Sequence, residues 1–174
     1  MKKIVLKKEF FNQSAFKIAP ELLGKFLVRK YRNREFSLMI TEIEVYQGFK
    51  DKASHAYKGK TKRNKIMFYP AGHWYVYLTY GTHWMLNLVV DKEDYPAAIL
   101  IRGTDKIYGP GRITKYLKIN KNINGWPVEK KSGLWIEDRM VKLSRQKIKR
   151  KKRIGVDFAG QWAQKLYRYQ IGTN

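Results

Sequence analysis

Acidic side chains are scarce in this chain, 14 against 37 Lys and Arg, so their placement is informative. Two of them stand in Ile40-Thr41-Glu42-Ile43-Glu44-Val45-Tyr46. Side chains alternate along a strand, so Ile43 and Val45 face one way and Glu42, Glu44 and Tyr46 the other. Two carboxylates and a phenol on one strand face, near a loop carrying His55, are the parts of a general acid/base site. The plainer reading is an exposed face on which both glutamates pair with the many Arg and Lys, and the residues alone favour it slightly. Other chemistries find little support. The histidines are His55, His73 and His83, with no Cys and no HExxH spacing, so no metal site is expected. Gly109-Pro110-Gly111-Arg112 lacks the Lys-Ser/Thr ending of a phosphate loop, and no GxSxG occurs. Zero cysteines exclude disulfides and thiolate chemistry and fit a reducing compartment.

The elements that must position these residues read as hairpins with a few helices. Asn12 or Ser14 caps a short helix through Leu23, with Gly24 as its stop and Pro20 starting a new turn or kinking it. Phe26 to Tyr31 and Phe36 to Tyr46 read as strands around Arg32-Asn33-Arg34. Gly48 to Lys62 is a polar loop. Trp74 to Tyr80 and His83 to Val90 form a hairpin turning at Gly81-Thr82. Ala97 to Arg102 is a further strand. Gly109-Pro110-Gly111 precedes a helix over Ile113 to Leu117. Trp135 to Glu137 and Arg153 to Val156 read as short strands, and Lys147 to Arg153 as a solvated loop or helix end that can lie along phosphates. The 174 residues suit one α+β domain, residues 1–174. No apolar run approaches the length of a membrane span, and no signal-peptide core follows the basic N-terminus, so no membrane partner is expected.

The formal charge of +23 points to a polyanion, nucleic acid before membrane. Its distribution is more specific. Residues 1–70 carry 17 basic and 6 acidic side chains, 71–102 carry 2 and 3, and 103–174 carry 18 and 5. From Ile66 to Asp91 there is no Lys or Arg, yet Phe68, Tyr69, Trp74, Tyr75, Tyr77, Tyr80 and Trp84 fall there. Composition alone favours a core hairpin. The sharper reading is a segment whose aromatics stack on bases or wedge between them.

Several segments then fit one pattern. Thr41-Glu42-Ile43-Glu44-Val45-Tyr46-Gln47-Gly48 is similar to the TETEAYxG signature of the alkyladenine (3-methyladenine, methylpurine) DNA glycosylase family. Ala53-Ser54-His55-Ala56, Arg63-Asn64-Lys65-Ile66-Met67-Phe68, Gly72 to Gly81 and Asn87 follow in family order. So do Leu100-Ile101-Arg102, Gly109 to Thr114 and Arg153-Ile154-Gly155-Val156, and the early Leu22-Leu23-Gly24-Lys25 also fits. Each motif alone is weak; together, in order and with matching spacing, they cover nearly the whole chain.

The resemblance implies a curved, mainly antiparallel sheet with surrounding helices and a protruding hairpin that inserts into DNA. It implies an enzyme that flips an alkylated or deaminated purine out of duplex DNA and hydrolyses its N-glycosidic bond, leaving an abasic site. Glu44 matches the general base, Arg102 the residue that helps position the water, and the Val156 carbonyl a further water contact. Tyr46 and Tyr77 match the stacking aromatics, His55 the group that bonds the purine edge, and Asn87 the one that crowds the 2-amino group of guanine. Tyr80 matches the wedge, with Thr82 and His83 at the same tip. Arg63, Asn64, Arg112 and Arg153 are the remaining expected DNA contacts. No cofactor is implied, and a monomer acting on double-stranded DNA suffices, in the cytoplasm or nucleoid of a prokaryote or the nucleus of a eukaryote. The chain departs from the pattern in three places. Six residues join Arg102 to Gly109 where a longer insert is usual; Ile43 and Val45 replace Thr and Ala; and Trp84 and Met85 follow the hairpin. The competing reading is a non-catalytic basic nucleic-acid-binding protein, which would have no use for Glu44.

Overall fold

The computed structural model describes residues 2–172. In chain order they form β1 (Ile4–Val5), α1 (Lys8–Phe11), α2 (Ala15–Leu22), β2 (Phe26–Tyr31), β3 (Arg34–Gln47), β4 (Trp74–Thr79), β5 (His83–Val89), β6 (Ala97–Thr104), α3 (Pro110–Tyr116), β7 (Leu134–Asp138), β8 (Ile148–Lys151) and β9 (Arg168–Ile171). The strands join in one antiparallel sheet in the order β1-β7-β2-β3-β6-β5-β4, with β9 against β3 and β8 against β9. The α+β expectation holds.

β3 is the spine. Residues 34–39 pair with β2, residues 40–47 with β6, and residues 42–44 also with β9. The alternation read from the residues is present. Ile43 and Val45 enter the main core with Ile18, Leu22, Leu27, Trp74, Leu88, Ile99 and Ile136, while Glu42, Glu44 and Tyr46 take the other face. The β3–β6 register slips twice, between Ile40 and Glu42 and between Glu42 and Ile43. Glu42 lies opposite Gly103 and Ile43 opposite Ile101, so Thr41 and Arg102 are left as bulge residues on facing strands. Such bulges re-aim side chains.

The aromatic segment differs along its height. Its base is core: Trp74, Val76, Leu86 and Leu88 pack into the main cluster, and Tyr75, Met67, Phe68 and Val89 into a second one with Ala56, Ile66 and Ala98. Its tip is solvent-exposed. The hairpin turn differs by one residue from the expected Gly81-Thr82. Tyr80 and Gly81 both have positive φ, 48° and 67°, and Thr82 N–H donates to the Thr79 carbonyl, so Tyr80 belongs to the turn and not to the strand.

Other boundaries shift for identifiable reasons. Pro20 neither starts a turn nor ends α2, which runs on to Leu22; burial of Ala15, Ile18, Ala19 and Leu22 outweighs one missing hydrogen bond. The next helix starts at Pro110 and not at Ile113, because a proline's fixed φ suits the first helical position. Arg153 to Val156 is no strand: the chain bends there, with Gly155 at φ 74°. The strand lies instead at Ile148–Lys151, inside the run read as a solvated loop. Its residues Lys149, Arg150 and Lys151 are exposed, and lysines are what an edge strand carries to block further pairing.

Candidate active site

The face of β3 opposite the main core opens onto a cavity of about 580 Å³, a volume suited to a small planar ligand. Tyr46, His55, Arg63, Tyr77, Tyr80, Asn87, Arg102 and Val156 all line it. These eight come from β3, the loop that follows it, the β4–β5 hairpin, β6 and the bend before residue 157.

Two small hydrophobic clusters hold the walls apart. Tyr46 packs with Trp162 against Ala53, Val156, Ala159 and Ala163. Tyr77 packs against the cluster of Tyr75, Met67 and Phe68. The two tyrosines therefore reach the cavity from separately anchored sides. Tyr77 meets the His55 ring edge-on at 4.5 Å between centroids, and the Arg63 guanidinium lies 5.6 Å over its ring. Burial and Glu44 push the Tyr77 hydroxyl up to about 12.

His55 accepts from or donates to the Tyr75 hydroxyl through Nδ1 at 2.9 Å. The crowded wall, and secondly Arg63, lower its pKa to about 4, so its ring is neutral near pH 7. Asn87 is buried and donates through Nδ2 to the carbonyls of Tyr75 and Met85, which ties its amide to both strands of the hairpin.

Glu44 is fully buried and stands behind the Tyr46 and Arg102 wall. Its Oε1 accepts from the Ile154 N–H at 2.8 Å. Its Oε2 accepts from the Tyr46 hydroxyl at 2.8 Å and from Arg102 Nη1 at 3.5 Å. Burial raises its pKa above the ordinary carboxylate value, while Arg102, the Ile154 N–H, Tyr46 and Arg168 pull it down. Tyr46 is raised well above its ordinary value, by burial first and by Glu44 second, and so keeps the proton it donates.

Glu42 is also fully buried. Its Oε1 accepts from Arg168 Nη1 at 2.7 Å and lies 3.6 Å from Arg102 Nε, while Arg168 Nε stands 4.0 Å from Glu44 Oε1. Two carboxylates and two guanidiniums thus neutralise one another out of water, the condition under which buried charge is tolerated. The plainer reading of this face, exposed glutamates paired with Arg and Lys, is right about the Arg pairing and wrong about the exposure, because both glutamates are buried. Arg168, on β9, is the member that the residues alone did not point to. Its only signal is a basic residue in a short Arg-Tyr-Gln-Ile stretch, 124 positions after Glu44 in the chain. The short connection after Arg102 is closed by the Gly109 N–H, which donates back to the Arg102 carbonyl at 3.0 Å.

The Val156 carbonyl accepts from the Ala159 N–H at 2.9 Å, leaving it one lone pair. Among the expected DNA contacts, Tyr80 is 89% exposed, and Arg63, Thr82, His83 and Arg112 are exposed too. His83 rests against Gly111, where a Cβ would come within 3.0 Å of its ring, so the hairpin tip is docked on α3. His73, by contrast, sits at the hairpin base and faces the Pro70 carbonyl.

Asn64 and Arg153 lie elsewhere than expected. Asn64 is buried, and its side chain bonds the Thr61 N–H and the carbonyls of His55 and Gly59. Arg153 is buried in a bidentate pair with Asp51, with a further bond to the Val45 carbonyl. The Asn64 Nδ2 and both terminal nitrogens of Arg153 are engaged inside the protein. They hold the His55 loop and the Ile154–Val156 bend in place instead of offering a group to a phosphate.

A family model described as "Methylpurine-DNA glycosylase (MPG)" matches residues 9–108 and 104–174. A protein of Methanocella arvoryzae is 38% identical, covering 95% of this chain and 91% of its own length. One of Legionella pneumophila strain Corby is 37% identical over 97% and 95%, and one of Rickettsia felis 38% over 98% and 94%. All three are named as candidate 3-methyladenine DNA glycosylases. With both parts of the cavity's lining, early and late in the sequence, inside the matched residues, the chain belongs to the methylpurine-DNA glycosylase family.

Proposed function

We propose that this protein is a monofunctional DNA glycosylase that takes an alkylated or deaminated purine from duplex DNA into the cavity and hydrolyses its N-glycosidic bond. The observation that carries the reading is a buried carboxylate, Glu44, behind a cavity walled by Tyr46 and Tyr77. A purine is planar, and an alkylated one such as 3-methyladenine is cationic. Two aromatic faces attract it by stacking and by cation–π attraction. His55, neutral at pH 7, offers a donor or acceptor to the purine edge without charge repulsion. Tyr80 fills the gap left in the helix by the extruded nucleotide.

In the reaction the C1′–N bond breaks first. Its electron pair leaves with the base, which neutralises an alkylated purine and makes a deaminated one an anion that takes up a proton from solvent, and positive charge develops on the sugar. Glu44 faces that charge, and takes a proton from the water whose oxygen forms the new C1′–O bond. Arg102 Nη1, at 3.5 Å the longest of the three hydrogen bonds to the Glu44 carboxylate, is the weakest of them. A water inserted there bridges Arg102 and Glu44, and the free lone pair of the Val156 carbonyl gives it a third partner. Water as nucleophile leaves the strand uncut. A monomer suffices, acting wherever the cell keeps its DNA.

The test is incubation with duplexes carrying 3-methyladenine, 7-methylguanine, hypoxanthine or ethenoadenine, then alkali to reveal abasic sites. Release by the wild type and none by Glu44→Gln, with duplex affinity retained, is expected. Equal release by both proteins overturns the mechanism, and no release by either favours a non-catalytic binder.

A further inference from the structure

Tyr80 and Phe158 are the two most exposed large hydrophobic side chains among the described residues, 89% and 77%, and both line the cavity. They stand on its two separately anchored walls. Tyr80 follows Tyr77 along the β4 hairpin. Phe158 lies two residues past Val156, on the segment whose Val156, Ala159 and Ala163 support Tyr46. Each wall thus carries an inner tyrosine and an outer exposed aromatic. Among the described residues, the pairs of aromatic rings include neither Tyr80 nor Phe158.

The Phe158 segment is built to present that ring. The backbone on either side is held down: Val156 and Ala159 are 5% and 1% exposed, and the Ala159 N–H bonds the Val156 carbonyl. An exposed phenyl contributes nothing to the fold and invites aggregation. It has no hydrogen-bonding group, and its neighbour Asp157 is exposed and acidic, so this point of the rim does not attract a phosphate. What it can take is the flat face of a base or the apolar edge of a sugar.

We propose that Phe158 is a second aromatic contact to DNA, stacking on the nucleotide that flanks the extruded purine while Tyr80 occupies the gap itself. This rests on the glycosylase reading above and deepens it. The two outer aromatics hold the distorted duplex at both edges of the cavity. Their joint effect is selective for a duplex with one nucleotide already displaced, because only there is a flanking base face uncovered. The charge of +23 supplies attraction for any duplex; Phe158 supplies preference for an opened one.

The experiment measures binding of wild type, Phe158→Ala and Phe158→Trp to two labelled duplexes, one undamaged and one carrying a tetrahydrofuran abasic analogue, with 2-aminopurine beside the analogue as a stacking reporter. The side chain is exposed, so the variants fold. Phe158→Ala is expected to lose about tenfold in affinity for the gapped duplex, to leave the undamaged duplex nearly unchanged, and to alter 2-aminopurine quenching. Phe158→Trp is expected to retain wild-type behaviour. Equal affinity of wild type and Phe158→Ala for the gapped duplex overturns the proposal, as does an equal loss on both duplexes. A change in sedimentation of the free protein with DNA binding untouched also overturns it and assigns the ring to a contact between copies. Base release by the wild type, followed in parallel, separates the two readings. Release without a Phe158 effect sinks only this contact. A Phe158 effect without release sinks only the glycosylase.

Discussion

Glu44 has donors on both oxygens and no exposed surface, so its chemistry depends on what those donors do. Its pKa is raised by burial, and a general base works only ionised, so base release should rise with pH through an ionisation above the ordinary carboxylate range. The sign for Tyr46→Phe follows from the hydroxyl's role. It donates to the charged form of Glu44, and its loss moves that ionisation further up while the stacking ring remains. Rates of 7-methylguanine release from pH 4 to 8 check this; a profile unmoved by Tyr46→Phe contradicts the coupling. Glu44→Gln should lower release by at least about a hundredfold. His55 bears on stability instead. Its folded pKa, about 4, lies below its ordinary value of roughly 6.5. The unfolded chain therefore binds more protons between those values, and His55 works against folding as pH drops through that window. Tm against pH for wild type and His55→Gln should diverge there and run parallel above it.

At the scale of elements, the site depends on how β3 and β6 are offset. Gly103 faces Glu42 across the double slip, and a Cβ there would lie 2.9 Å from the Glu42 Cβ. Gly103→Ala should push Glu42 and Arg102 out of place, lowering the maximal rate about tenfold or more with little effect on duplex binding; single-turnover rates separate the two. The hairpin turn makes a contrasting case. Tyr80 is held at φ 48°, where a non-glycine residue is strained by about 1–2 kcal/mol. Tyr80→Gly should be as stable as wild type or more so, by about 1 kcal/mol, and yet flip poorly. If thermal melting shows a loss of stability instead, the ring is a fold residue and not a wedge. These examples also show what a sequence discloses. The alternation around Glu44 and the β4–β5 hairpin are local patterns, so they were legible. The burial of Glu42 and Glu44 was not, because Arg168 arrives from β9, whose four residues are too short for a period to register. The re-aiming of Arg102 comes from a slip between two strands, which no single strand's sequence encodes. Asn64 and Arg153 match a family motif, but a motif match does not say whether a basic or polar side chain points out to DNA or back to an Asp51 far away in the chain.

Over the whole molecule, the charge of +23 is divided by a hairpin whose exposed tip is uncharged. Arg63 on one flank and Arg112 on the other are exposed near the cavity or the docked hairpin, whereas Arg102, Arg153 and Arg168 are spent on carboxylates inside. The excess therefore splits into arginines that hold the site together and cations free to meet phosphates. The two groups should separate in a salt titration. Each phosphate contact releases counterions, so the logarithm of duplex affinity falls with the logarithm of salt by about 0.9 per contact. Arg112→Ala should make that slope shallower by about one and weaken damaged and undamaged duplexes alike. Arg63→Ala should do the same and also loosen Tyr77, over whose ring it lies, so it alone should raise the substrate concentration needed for half-maximal release beyond its effect on undamaged DNA. Arg153→Ala should instead leave the slope where it is and cost about 3–5 kcal/mol of stability, because it strands Asp51 as an unpaired buried charge. Fluorescence anisotropy from 50 to 300 mM salt, beside urea denaturation of the same variants, checks the division. A slope lowered by Arg153→Ala as much as by Arg112→Ala would show that buried and exposed arginines are not the separate groups their contacts make them.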